Sequence, residues 1–177
     1  MLLGIDLGTG SAKALLLDTD GTVVSEASSS YLVQSPYPGW AESDSADWWL
    51  AVVKAVREAL GDRGNLVRAI GLSGQMHGVV LVDEIGQPLY PAILWADTRS
   101  QEVLGQYRSL NSDILKHLGN PITAGMAGTT LLWLREHQST LYTQARWVLQ
   151  PKDWLRLQLT GEVATEPSDA SGTYFMM

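Results

Sequence analysis

Three strand-length segments fill the first 32 residues, and the links between them are too short for anything but turns. Residues 2 to 7 are an apolar run, residues 12 to 18 follow after Gly8-Thr9-Gly10-Ser11, and residues 22 to 32 follow after the turn Asp18-Thr19-Asp20-Gly21. Strands joined this closely pair antiparallel, because a parallel neighbour needs a long crossover. The opening of the chain is therefore an antiparallel meander.

The next segment, Ser35-Pro36-Tyr37-Pro38-Gly39-Trp40, is a loop, since two prolines and a glycine cannot continue a sheet. Asp44 or Ser45 is placed to cap a helix over 45–60. Its apolar positions Trp49, Val52, Val53, Val56 and Leu60 fall at helical spacing, and Gly61 ends it. Trp48 and Trp49 read as packing residues of this helix; Trp40, in the Pro-Gly loop, is placed to reach a pocket, with packing the preferred reading. A strand over 67–73 comes next. A hairpin then pairs 79–82 with 89–95 around Glu84-Ile85-Gly86-Gln87. Helices are expected over 99–118, 128–138 and 151–159, with a short strand over 147–149. The order β-β-β-α-β-α belongs to the ribonuclease H-like group of α/β folds, with a mixed sheet and flanking helices. One domain over 1–177 is expected.

Composition removes several function classes. The chain has no cysteine, which excludes a disulfide framework, a thiolate zinc site and a cysteine nucleophile. A net charge of -7 without a basic run disfavours nucleic-acid partners. No stretch approaches the ~20 apolar residues of a membrane span, and Asp6 comes too early for a signal peptide. The expected location is the cytoplasm. The chain stops within an apolar run, Tyr174-Phe175-Met176-Met177, so it is expected to be part of a longer protein.

Two motifs carry chemistry. In Asp6-Leu7-Gly8-Thr9-Gly10-Ser11-Ala12-Lys13 the glycines let the backbone approach a ligand closely, and Thr9 and Ser11 add hydroxyls. Such a loop can aim N–H groups at phosphate. Asp6 is placed to hold Mg²⁺ through water, and Lys13 to add positive charge. The spacing alone fits a plain glycine hairpin equally well. In Ser73-Gly74-Gln75-Met76-His77-Gly78, Gln75 and His77 offer directional polar groups for hydroxyls, and Met76 offers an adaptable apolar face.

These residues carry a family resemblance. Gly4-Ile5-Asp6-Leu7-Gly8-Thr9 with Lys13 resembles the phosphate loop of the FGGY carbohydrate kinases. Residues 75–78 resemble the segment that lines the ketose site in the xylulokinase branch of that family, with Met76 and His77 in the lining positions. Trp95-Ala96-Asp97-Thr98-Arg99 resembles the family's segment beside the sugar, which makes Asp97 and Arg99 substrate-binding candidates. A helix N-cap and a solvated ion pair would explain these two as well. Residues 151–162 and 168–173 resemble structural segments of the family. Gly10-Ser11 reverses the family's usual small pair.

The resemblance implies ATP with Mg²⁺ as cofactors and a ketopentose as substrate, D-xylulose becoming D-xylulose 5-phosphate. Ribulose, gluconate or glycerol would suit a related kinase, and a non-catalytic sugar-binding module is a further reading. It also implies that the general base and the adenine pocket lie beyond residue 177, in a C-terminal nucleotide-binding domain absent from this chain. The fragment alone is then expected to be inactive. The oligomeric state is left open, a homodimer included. A ribonuclease H-type nuclease built on Asp6 needs further acids and a basic surface, which the charge balance argues against.

Overall fold

The antiparallel opening forms as its spacing dictates. In the computed structural model, which describes residues 1–174, β1 (Leu2–Leu7) pairs with β2 (Ser11–Leu17), and β2 pairs with β3 (Val23–Ser30), both antiparallel. The apolar end that includes residues 175–177 lies outside the described residues. The chain divides into two compact units: residues 1–33 with 43–75, and residues 34–42 with everything from Met76 on.

The first unit holds the meander. After β4 (Glu42–Ser43), where the chain passes back into this unit, come α1 (Ser45–Leu60) and then β5 (Ala69–Gly74), which pairs parallel to β1. The sheet order is β3-β2-β1-β5, a mixed sheet of the kind expected. Alternation assigns the faces. Leu3, Ile5 and Leu7 of β1 and Ala12, Ala14 and Leu16 of β2 are buried, together with Trp48, Ala51, Val52, Ala55 and Ala59 of α1. The alanines let the helix approach the sheet closely. The Asp44 carboxylate accepts the Ala46 N–H, and Gly61 closes the helix at φ 51°. The opposite face carries Gly4, Asp6, Lys13, Leu15, Glu26, Ser28, Gly71 and Ser73, with the second residue of each antiparallel pair following the pleat. It lines an open hollow of about 710 Å³.

The second unit contains β6 (Val80–Val82) and β7 (Ala92–Ile93), followed by helices α2 (Leu104–Arg108), α3 (Ser112–Leu118), α4 (Ala127–His137) and α5 (Ser139–Gln144). It continues with β8 (Trp147–Leu149), α6 (Pro151–Thr160) and α7 (Pro167–Ala170). β8 pairs antiparallel with β6, Val80 opposite Leu149. Val79, Leu81, Ile93, Val103, Ala127, Trp133 and Leu134 form its main core. The expected hairpin is present, but its second arm shortens to Ala92–Ile93 with a bridge from Ile93 to Val79.

The expected helix over 99–118 is three pieces: a 3₁₀ turn Arg99–Val103, then α2, then α3. Asn111 explains the last break. It holds an extended ψ of 142° and its side chain accepts the Asp113 N–H, so it caps a new helix instead of continuing the old one. Among the described residues no helix is long and apolar enough to cross a membrane.

Candidate functional site

The loop after β1 is fixed from several sides of its own unit. The Gly8 N–H donates to the Ser11 carbonyl at 3.0 Å and closes the hairpin. The Tyr31 hydroxyl donates to the Gly8 carbonyl, and the Tyr31 N–H donates to the Gly10 carbonyl at 3.1 Å. Gln75 adds two ties: its N–H donates to Leu7 O at 2.8 Å and its side-chain Nε2 to Gly8 O at 3.3 Å. A Cβ on Gly8 would meet Ser11 O at 3.1 Å, whereas Gly10 faces open space. Gly8 therefore serves close backbone approach, and Gly10 leaves the tip clear.

Asp6 and Lys13 are register partners on β1 and β2, on the open face of the sheet. Ser73 Oγ donates to Asp6 Oδ1 at 2.7 Å from β5, also on that face. Burial, and after it the negative charge of Asp6, raise the pKa of the Tyr31 hydroxyl well above its usual value, so it remains a phenol that donates. Among the described residues no group of three or more His, Asp or Glu is arranged to hold a metal. One carboxylate beside a lysine does fit Mg²⁺ carried by a nucleotide, because Mg²⁺ commonly takes one or two carboxylates and completes its shell with phosphates and water. Tyr31 and Ser73 are site residues that the sequence motif did not single out. Tyr31 follows a serine-rich strand, and nothing local marks it.

In the second unit, Met76 is 53% exposed and His77 is half-buried. His77 has φ 59°, in the left-handed region that non-glycine residues rarely occupy, and the Gly78 N–H donates to Met76 O at 2.8 Å across the turn. His77 Nδ1 is buried and has no hydrogen-bond partner among the described residues.

Asp97 and Arg99 form a buried brace, so the solvated ion pair is replaced by an internal one. The Arg99 side chain is 1% exposed, as is that of Asp97. Arg99 Nε donates to Asp97 Oδ1 at 2.9 Å and Nη2 to Asp97 Oδ2 at 2.7 Å. Nη2 also reaches Glu42 Oε1 at 2.7 Å. Asp97 further accepts the Ala41 N–H at 2.7 Å and the Arg99 N–H at 2.8 Å. The guanidinium lies 3.5 Å from the Trp40 ring centroid, and Tyr90 donates to Glu42 at 2.9 Å. Burial alone works against the charge on Arg99. The hydrogen bonds to Asp97 and Glu42 outweigh it and raise its pKa. The brace ties residues 39–42 to the segment after Trp95, which is itself exposed.

A second ion cluster sits at the start of α6. Lys152, 10% exposed, reaches Asp153 at 2.8 Å, Asp169 at 3.1 Å and Glu166 at 3.3 Å. Burial opposes its charge, and the hydrogen bond and charge of Asp153, then those of Asp169, outweigh it and raise the pKa. The Glu166 carboxyl is held at about 2 because the Ser168 hydroxyl donates to it, with the Asp169 and Ser168 N–H groups adding to this. A carboxylate depressed in the fold stabilises at pH above its ordinary value of 4.5, and that contribution disappears as the pH falls through 2. Thermal melts between pH 5 and pH 2 are expected to fall less steeply for Glu166→Gln than for the wild type. Equal slopes would contradict this role.

Comparison with known proteins identifies the family. Residues 1–177 match the model of the FGGY family of carbohydrate kinases, N-terminal domain. The xylulose kinase of Klebsiella pneumoniae is 42% identical over 99% of the chain. A kinase from Brucella ovis superposes with TM-score 0.93 at 38% identity, covering 98% of this chain and 36% of that one. The xylulose kinase of Rhodospirillum rubrum superposes with TM-score 0.91 at 31% identity over 98% of this chain and 37% of that one. The chain spans 37% of the length of the Klebsiella relative. With the family profile matched from end to end, this chain belongs to the FGGY family of carbohydrate kinases, in its N-terminal domain.

Proposed function

We propose that residues 1–177 serve as the sugar-binding half of an ATP- and Mg²⁺-dependent kinase that converts D-xylulose to D-xylulose 5-phosphate. The observation that carries this reading is the 75–77 turn. Gln75 ties the glycine loop to the end of β5, and two residues later a half-buried imidazole is held in a left-handed turn. Among the described residues Gln75 Oε1 is buried without a partner. A polar atom left in that state suits a ligand that brings hydroxyls.

In this reading Asp6 holds the metal through water, and Gly8, Thr9, Gly10, Ser11 and Lys13 surround the phosphates. Gln75, Met76 and His77 orient the sugar. Mg²⁺ supplies charge neutralisation at the transferring phosphate, and rate comes from alignment. Asp97 and Arg99 contribute by holding the segment next to Trp95, since their side chains are engaged with each other and with Glu42. The proton of the accepting hydroxyl needs a base. Asp97 is paired to Arg99, and Asp153 and Asp169 to Lys152, so none of the three is disposed to take it. The base and the adenine pocket are assigned to a nucleotide-binding domain beyond these residues.

The test is ligand-dependent melting with D-xylulose, ribulose, gluconate and glycerol. Ligand at 100 times its Kd stabilises by about 2.7 kcal/mol, and D-xylulose is expected to give the largest rise. His77→Ala should remove that rise. With ATP and D-xylulose the 177 residues are expected to release little or no ADP. A larger shift with another sugar, or brisk turnover, would overturn the assignment.

A further inference from the structure

The imidazole of His77 lacks the usual means of holding a functional histidine. Such rings are generally oriented by a hydrogen bond at the nitrogen that does not meet the ligand, yet among the described residues Nδ1 is buried without one. Steric contact holds it instead. A Cβ built on Gly172 would overlap His77 Cε1 and stand 3.0 Å from Nδ1. The missing side chain at 172 is thus the space in which the ring edge lies. The next residue of the turn is also closely packed: a Cβ on Gly78 would come within 2.8 Å of Pro151 Cγ at the start of α6.

The backbone at 172 has little room to retreat. Asn120 Nδ2 donates to Ser171 O at 2.9 Å, the Gly128 N–H to Thr173 O at 2.9 Å, and the Gly172 N–H to Asp169 O at 3.0 Å. Lys152, the neighbour of Pro151, bonds Asp169 and Glu166 across to α7. The Gly172 backbone against His77 and the Pro151 ring against Gly78 therefore belong to segments joined by one buried ammonium.

We propose that Gly172, anchored through Lys152, is the positioning residue that sets the His77 ring and thereby the hydroxyl geometry the sugar pocket accepts. This rests on the sugar reading above. Gly172 has no positive φ, so Gly172→Ala tests space and not backbone strain.

The chain has three histidines, which makes ring ¹H–¹³C spectra of the 177-residue protein readable. Gly172→Ala is expected to move the His77 signal while those of His117 and His137 stay, and to weaken the D-xylulose response about tenfold or more. Asn120→Ala releases one pin without adding bulk and should broaden or shift the same signal, which serves if Gly172→Ala fails to fold. An unmoved His77 signal in a folded variant would overturn the proposal. Wild-type signals that ignore D-xylulose but move in Gly172→Ala would sink the sugar reading and leave the placement standing. An equal sugar response in wild type and Gly172→Ala would do the reverse.

Discussion

Arg99→Met is expected to destabilise the protein by about 3–5 kcal/mol, because it leaves two carboxylates buried without a counter-charge. Asp97 would keep its bonds from Ala41 and from the residue 99 N–H, but Glu42 would retain only the Tyr90 hydroxyl. Losing the guanidinium also removes the group that lies over Trp40. Urea unfolding with a linear extrapolation measures the loss. The triple variant Glu42→Gln, Asp97→Asn, Arg99→Met should recover most of it, since the penalty comes from unpaired charge and not from lost volume. A single variant as stable as the wild type would show that the brace contributes nothing. The recovery is expected to restore stability without restoring the sugar response, because the segment after Trp95 would lose its geometry.

Trp48→Ala is expected to cost a similar ~3–5 kcal/mol by a different route, loss of apolar burial plus an unfilled cavity. Trp48 is 0% exposed, between α1 and the sheet, with the Tyr31 ring 6.4 Å away. Tyr31 also supports the glycine loop through its bond to Gly8 O, so the cavity should loosen that loop. Trp49→Ala, one position along the same helix but only half-buried, should cost far less. Comparable losses from the two would mean that the helix as a whole, and not this face, is the sensitive element. Against a typical total of about 5–15 kcal/mol, either large loss leaves a small folded margin.

The elements legible in advance were those set by local chemistry. The meander, α1 with Asp44 and Gly61 at its ends, and the strand after it rest on turn residues, periodicity and caps within a few residues of each other. The 99–118 segment misled because its apolar positions permit one long helix, while Asn111 gains more by capping a new one. Neither α5 nor α7 carried a strong periodic signal over so short a length. The candidate site divides the same way. Asp6, the glycine loop and residues 75–77 stand out as motifs. Tyr31 on Gly8, Glu42 on Arg99 and Gly172 against His77 join positions far apart in the chain, and no local pattern marks them.

By itself the sequence determined the antiparallel order of the first three strands, the helix that precedes β5, and the family resemblance carried by several segments in fixed order. Backbone preferences and hydrophobic period act over a few residues, so they can be read along the chain. Only the tertiary structure decided that the charges of Asp97 and Arg99 are internal, that Lys152 gathers three carboxylates, and that a glycine makes room for His77. Burial and ion pairing depend on which distant residues arrive in the same place, and that is fixed only once the chain has folded.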